Sequence, residues 1–262
     1  MPKISAFTIA RSVVRLGYPI HQCVDGLANV ADEVIIGYDP STDDGTYDVC
    51  QELRQKYDAK LVESPWDMEN RNAGTEIGRQ TDIAMSACSY DWHLHCQLDE
   101  AFHEEDRDAL HQLAADPGPF LGFEFQRVCF YSALNKIRKD WTIKAVRLTK
   151  KGTHTYATLD GHNCVPLVPN TPKKLITNIW MYHYQRFGDP LLISKRIRVL
   201  DGLFHPEENL PAENELQPYD FKTRNYESFA LDNTTKEIEA EIYTYVGSHP
   251  KAFMALYGME QR

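Results

Sequence analysis

Residues 3–38 read KISAFTIARSVVRLGYPIHQCVDGLANVADEVIIGY, and their pattern decides the fold class. Lys3 to Ala10 is a short, mostly apolar run, too brief for a helix, which predicts a buried strand. Pro19 then opens a helical stretch in which Ile20, Cys23, Val24, Leu27 and Val30 recur at helical spacing. Glu33 to Tyr38 is a second short strand. Strand, helix and strand with short connections make a parallel pair joined by a crossover helix.

The alternation continues outward. Asp39 to Thr46 is a turn, a helix runs to about Tyr57, and Ala59 to Ser64 is a third strand. Thr75 to Cys88 is helical, Trp92 to Leu98 is a fourth strand, and Glu104 to Ala115 is a fourth helix. The expected class is therefore α/β, a Rossmann-like, mostly parallel central sheet with helices on both faces. The second half is less regular. Phe120–Tyr131, Trp141–Thr149 and Asn178–Gln185 read as strands, the pattern turns helical from Pro190, and Pro206–Pro218 is a polar loop, either a lid or a solvated connector. Open parallel sheets bind ligands beyond the carboxyl ends of their strands. Those ends are Thr8–Arg11, Tyr38–Asp43, Ser64–Asp67 and Gln97–Glu100, and three of the four carry carboxylates.

Composition narrows the classes. The chain has 262 residues, with 28 Lys and Arg against 38 Asp and Glu and a net charge of -10. That excludes a generally basic nucleic-acid coat but not a local basic groove. No apolar run approaches the roughly 20 residues of a membrane span, and Met1–Phe7 enters the first strand without a signal peptide's apolar stretch. A cytoplasmic location is expected. The six cysteines form no CxxC pair, which argues for small buried side chains rather than a zinc ribbon.

Asp91 to Glu105, DWHLHCQLDEAFHEE, carries the densest chemistry. Adjacent carboxylates at the end of a buried strand are costly to desolvate. Two explanations stand. A divalent cation held there would offset the cost, since Mg²⁺ and Mn²⁺ prefer carboxylate oxygens. Alternatively, Asp99, Glu100, Glu104 and Glu105 complement the dipole of the next helix. Around the second strand end, Ser41, Thr42, Asp43, Asp44 and Gly45 suit a turn and a helix cap. Asp39 is less well explained that way, and an Asp at that position accepts hydrogen bonds from a nucleobase or a ribose hydroxyl.

Taken together these segments resemble the family 2-type glycosyltransferases of the GT-A fold. The opening strand Ile4–Arg11, the element Ala31-Asp32-Glu33-Val34-Ile35-Ile36 followed by Asp39–Thr46, the helix Gln80–Cys88 and the strand end Asp91–Glu100 all match elements of that family. The Asp39–Thr46 loop carries one extra residue. Gln97 stands where the family's DxD motif has its first Asp, and Asp99 takes the second; the resemblance is to a branch with Gln there followed by Asp99-Glu100-Ala101-Phe102-His103-Glu104. The likeness covers residues 3–110 well, 120–200 in patches, and nothing beyond.

The resemblance implies a single GT-A-like domain over 1–262, with a nucleotide-sugar-binding half (1–118), an acceptor-side half (119–200) and a helical C-terminal extension (201–262). It implies a nucleotide-sugar donor, commonly UDP-linked, bound by Thr8, Ala10, Arg11, Asp39, Arg79, Gln97 and Leu98. A Mn²⁺ or Mg²⁺ ion would be held by Asp99 and His183. Lys195, Arg196 and Arg198 are candidates to meet the diphosphate. In an inverting transfer Asp160 would be the base that, with Asp99, makes up the expected catalytic pair; His162 is a weaker rival. The acceptor is open among a glycan, a small molecule, a lipid, a protein and a modified nucleic-acid base. Two other classes remain. His93, His95, Gln97 and Asp99 have strand spacing and would share one face, so a zinc-dependent hydrolase using His93, His95 and Asp99 is one alternative. The other is a non-catalytic nucleotide-sugar binder, because Gln97 removes one anionic ligand.

Overall fold

In the computed structural model, which describes residues 1–138, 144–221 and 242–256, the first half follows the strand-helix alternation closely. β1 (Ile4–Ala10), α1 (Ile20–Val30), β2 (Glu33–Tyr38), α2 (Thr46–Tyr57), β3 (Lys60–Glu63), α3 (Thr75–Ser86) and β4 (Trp92–His95) come in that order. They are followed by β5 (Glu100–Phe102), α4 (Arg107–Ala115), β6 (Gly122–Tyr131), β7 (Ala133–Arg138), β8 (Lys144–Lys150), the two-residue strands β9 (His154–Thr155) and β10 (Val165–Pro166), β11 (Lys173–Arg186), α5 (Pro190–Asp201), β12 (Ile242–Thr244) and α6 (Lys251–Leu256).

β4, β1, β2 and β3 form a parallel block, with Phe7 opposite Ile35 and His95. The sheet continues antiparallel from β4 through β8 to β6, and β7 and β12 extend it to the edge. On its other side β6 runs parallel to β11, which pairs antiparallel with β5. The protein is thus a mixed α/β structure with a central sheet.

Alternation along the strands divides the core between the two faces. Ile4, Ala6 and Ala10 of β1, Val34 and Ile36 of β2 and Trp92 and Leu94 of β4 pack with buried residues of α1, α2 and α4. Phe7 and Ile35 point the other way, against Ala84 of α3 and Tyr156. Gly78 lets α3 approach the segment after β9 very closely: a Cβ there would fall 2.0 Å from the Tyr156 carbonyl oxygen and 2.2 Å from that of Leu159. Asp82, one turn further along α3, accepts hydrogen bonds from the backbone N–H groups of Tyr156 and Ala157. The loop carrying Asp160 and His162 is thereby fixed on the helix.

The structure departs from the sequence reading in four places. The fourth strand ends at His95 rather than Leu98, because residues 97–100 close a turn in which the Glu100 N–H donates to the Gln97 carbonyl at 2.9 Å. The short strand β5 follows at once, in a stretch the sequence reading left as the approach to the helix expected from Glu104. The strand expected over Asn178–Gln185 is part of the longer β11. The expected helical extension over 201–262 is not helical where it is described: two 3₁₀ turns (Glu207–Asn209 and Glu213–Glu215), β12 and the six-residue α6 occupy it. Residues 222–241 and 257–262 of that extension, and 139–143 at the start of the strand expected from Trp141, lie outside the described residues. All six cysteines are buried and none is in a disulfide. Among the described residues no helix is long and apolar enough to cross a membrane.

Candidate active site

A cavity of about 360 Å³ opens at the carboxyl ends of β1 and β4, within the range of small-ligand sites. Arg11 follows β1, Trp66 and Met68 follow β3, and Gln97, Leu98 and Asp99 form the turn after β4. Arg127 and Cys129 of β6, His183 of β11, the loop residues Asp160, Gly161 and His162, and Leu200, Leu203 and Phe204 at the end of α5 also line the cavity.

The turn after β4 brings the charged groups together. Asp99 is 6% exposed, and its carbonyl accepts from the Tyr184 N–H at 2.8 Å, so β11 holds the turn directly. The same strand sets His183 Nε2 3.7 Å from Asp99 Oδ1, while His183 Nδ1 lies 3.4 Å from the Cys129 sulfur. Burial and the neighbouring Glu100 charge push the Asp99 carboxyl up to about 6; Arg196 and Arg127 oppose this. Burial and Arg127 keep His183 neutral, far below its ordinary range.

Glu100 has a different fate. It is fully buried, and burial alone would raise it, yet Arg147 and Arg127 hold its carboxyl well below the usual range. Arg127 Nη2 donates to Oε1 at 2.6 Å and Arg147 Nη2 to the same oxygen at 3.0 Å. The Gln97 N–H donates to Oε2 at 3.0 Å. Arg127 also donates to the Gln97 side-chain oxygen at 3.0 Å and to His162 Nδ1 at 3.3 Å. Burial, with Arg127 and Arg147 adding to it, lowers His162 to about 4, so its imidazole is neutral and Nδ1 is the acceptor. Asp99, Glu100, Arg127 and Arg147 carry two charges of each sign, a balance that buried groups require.

The sequence-derived candidates divide. Arg11, Gln97, Leu98, Asp99, Asp160 and His183 line the cavity; Thr8, Ala10, Asp39 and Arg79 do not. Thr8 and Ala10 are fully buried in the sheet. The Asp39 carboxylate is taken up by its own surroundings, accepting from Ser41 Oγ at 2.7 Å, from the Ser41 N–H at 3.0 Å and from Arg11 Nε at 2.9 Å. Arg79 pairs with Glu76 at 2.6 Å. Asp160 closes a turn by accepting from the His162 N–H at 3.0 Å. Lys195, Arg196 and Arg198 do not reach the cavity: Lys195 faces Glu213 at 3.7 Å, Arg196 donates to the carbonyls of Leu16 and Gly17, and Arg198 holds Pro211 and Glu207.

The four-residue face proposed for zinc does not form, because β4 ends before Gln97 and Asp99. His93 Nε2 is engaged at 3.0 Å with the Tyr90 carbonyl, and among the described residues no three His, Cys, Asp or Glu side chains converge on a metal position. Sequence reasoning missed Arg127 and Arg147. The available signal was an arginine in the middle of each of two strand-like segments, GFEFQRVCFY and KAVRLTK, since a buried guanidinium needs a buried anion.

For a divalent ion the described residues offer two ligands, one Asp99 oxygen and His183 Nε2, with the Gln97 amide oxygen engaged by Arg127. That set fits Mg²⁺ or Mn²⁺, which commonly take one or two protein groups and complete their shell with phosphate oxygens and water.

No protein-family model matches the chain. Relatives in sequence include an uncharacterized glycosyltransferase of Rickettsia typhi, 25% identical over 74% of this chain and 64% of its own length, and its counterpart in Rickettsia prowazekii with the same identity and coverage. An uncharacterized glycosyltransferase of Rickettsia felis is 31% identical over 44% of this chain and 35% of its own. The chain thus spans less than two thirds of the length of these curated relatives. Among solved structures, residues 1–349 of TarS from S. aureus superpose with a TM-score of 0.45 at 12% identity, covering 81% of this chain and 67% of that one. A mannosyltransferase from Pyrobaculum calidifontis in complex with GDP-Man and Mn²⁺ superposes with a TM-score of 0.34 at 17% identity, covering 50% and 36%.

Proposed function

We propose that this chain is a glycosyltransferase that moves a sugar from a nucleotide-sugar donor, UDP-linked in the first instance, to an acceptor hydroxyl with inversion. The observation that carries the reading is the Asp99–His183 pair, with Arg127 beside it, in the wall of a cavity at the carboxyl ends of β1 and β4. The names of the rickettsial relatives point the same way.

In this reading the donor diphosphate lies over Asp99, His183 and Arg127, and the nucleoside extends toward Arg11 and Trp66. Arg11 is positioned for that role by Asp39 at 2.9 Å and by Trp66, whose ring lies 5.9 Å from its guanidinium. Asp160 takes the proton from the acceptor hydroxyl as that oxygen bonds to the sugar's anomeric carbon, and the bond to the leaving diphosphate breaks. Arg127 presents a fixed positive charge to the developing negative charge on that leaving group. A Mn²⁺ or Mg²⁺ ion held by Asp99 and His183 supplies further Lewis-acid stabilisation when bound.

Charge balance predicts how these groups load. Arg127, Arg147 and the buried Arg196, which acts on Asp99, already outnumber Asp99 and Glu100, so a divalent ion alone adds further positive charge beside Arg127, whereas ion and diphosphate together do not. A thermal-shift screen of UDP- and GDP-sugars, with and without Mn²⁺, tests the reading. The expected result is stabilisation by one sugar nucleotide that Mn²⁺ enhances, little effect of Mn²⁺ by itself, and slow release of free sugar from that donor. Stabilisation by no sugar nucleotide under either condition sinks the proposal; binding without any transfer or hydrolysis leaves only a nucleotide-sugar binder.

A further inference from the structure

His95 is the last residue of β4, 1% exposed, and it lines the cavity. Its ring stacks on Phe7, with centroids 5.0 Å apart and planes 18° from parallel, and meets Tyr156 edge-on at 4.8 Å. These contacts fix the ring on both sides. Yet among the described residues neither ring nitrogen has a hydrogen-bond partner. A Phe would fill the same stacked slot without that cost, since an unmet buried donor or acceptor is destabilising. The charged and titratable groups around it are Arg147, Glu100, Arg127 and His162; burial and the Arg147 charge keep the imidazole neutral. A neutral imidazole offers one N–H donor and one lone-pair acceptor. His162, also neutral, lines the same cavity.

We propose that His95 is a sugar-reading residue, whose ring nitrogen, stacked in place by Phe7 and Tyr156, hydrogen-bonds a hydroxyl of the sugar ring bound in the cavity. A hydroxyl both donates and accepts, so it matches either tautomer of the neutral ring. A phosphate or carboxylate, which only accepts when ionised, does not. The inference rests on the glycosyltransferase reading and deepens it by naming a determinant of sugar specificity. The hydroxyl belongs either to the donor's sugar or to a sugar acceptor, and binding measurements separate the two.

The test compares the parent protein with His95→Phe and His95→Asn. Calorimetry measures UDP-glucose, UDP-galactose, UDP-N-acetylglucosamine, GDP-mannose, UDP and GDP; saturation-transfer NMR measures methyl glucoside, methyl galactoside and methyl mannoside on the UDP-loaded protein. His95→Phe keeps the stack, so its melting temperature should equal or exceed the parent's. Its affinity for the preferred sugar nucleotide should fall roughly tenfold, the worth of one hydrogen bond, with UDP and GDP binding unchanged and discrimination among the sugars flattened. His95→Asn, which keeps a donor and an acceptor, should recover part of the loss. The same loss confined to the methyl glycosides assigns the hydroxyl to the acceptor. Unchanged affinity and discrimination in both arms, as a cavity filled only by water at His95 would give, overturns the proposal. So does an equal loss for UDP and its sugar conjugates. A parent that binds no sugar nucleotide and no glycoside removes the glycosyltransferase reading itself, a result distinct from either.

Discussion

Two strand ends of the parallel block carry buried acids, and they behave in opposite ways. Asp39, just after β2 and outside the cavity lining, spends its oxygens locally, on Ser41 two residues later and on Arg11 of the adjacent β1 end. Asp99 and Glu100 follow β4, and their partners come from β6, β8 and β11. The β2 end is a turn with an arginine attached. The β4 end is a charge network assembled from strands far apart in the chain. Within it, the two neighbours differ again: Glu100 is held directly by two guanidiniums, while Asp99 lies 3.7 Å from the neutral His183 and feels Arg196 and Arg127 through space. The same local signal, an acid after a buried strand, therefore marks a turn in one place, a scaffold in another and an available ligand in a third.

The comparison breaks hardest at Glu100. Glu100→Gln leaves Arg127 and Arg147 buried without their anion and should lower stability by about 3–5 kcal/mol in urea unfolding. Glu100 titrates well below 4.5 in the folded protein, so its contribution is complete above that ordinary value and is lost as pH falls through the folded one. Parent and variant should therefore converge only in strong acid. A variant as stable as the parent at pH 7 would mean that the network does not hold the β4 end together.

Asp99→Asn separates activity from stability. Sugar transfer should fall about 10²–10³-fold, as when a fixed group at a developing charge is removed. The melting temperature should hold or rise, because burial and Glu100 already disfavour the ionised carboxylate. A folded variant that transfers sugar at the parent rate would refute the catalytic assignment.

Asp39→Ala sharpens the β2 end. It frees Arg11 and the Ser41 turn at once, so donor affinity measured by calorimetry should weaken by about 1.5–3 kcal/mol, with the parallel block intact by circular dichroism. Equal affinity would confine Asp39 to the turn. The smallest effect is expected at Gln97. A carboxylate there in the GT-A pattern would be a metal ligand, but this side chain is bound by Arg127 at 3.0 Å. Gln97→Asp should accordingly pair with Arg127 and shift Mn²⁺ affinity in the presence of UDP by less than about threefold, an energy below 0.7 kcal/mol. A tenfold gain would show that the position still faces the ion.

Periodicity over a few residues carried the first half. Helical spacing in Ile20, Cys23, Val24, Leu27 and Val30 and the brief apolar runs at β1 and β2 depend only on neighbours in sequence, and the observed elements coincide with them. That acids follow the fourth strand was legible for the same reason, but the turn that sets Gln97, Leu98 and Asp99 against the cavity was not, because the strand was expected to run to Leu98 and ends at His95. Which acid pairs with which arginine was not legible either. Arg127 and Arg147 meet Glu100 only because β6 lies between β8 and β11 and β11 pairs with β5, and that strand order follows from long-range sheet register rather than from any local pattern. Desolvation then makes each pairing decisive, since a buried charge must find its counter-ion wherever the fold provides one. Sequence thus determined that acids stand at the carboxyl ends of the parallel block. Tertiary structure alone decided that Glu100 is neutralised, that Asp99 faces the cavity beside His183, and that Lys195, Arg196 and Arg198 do not.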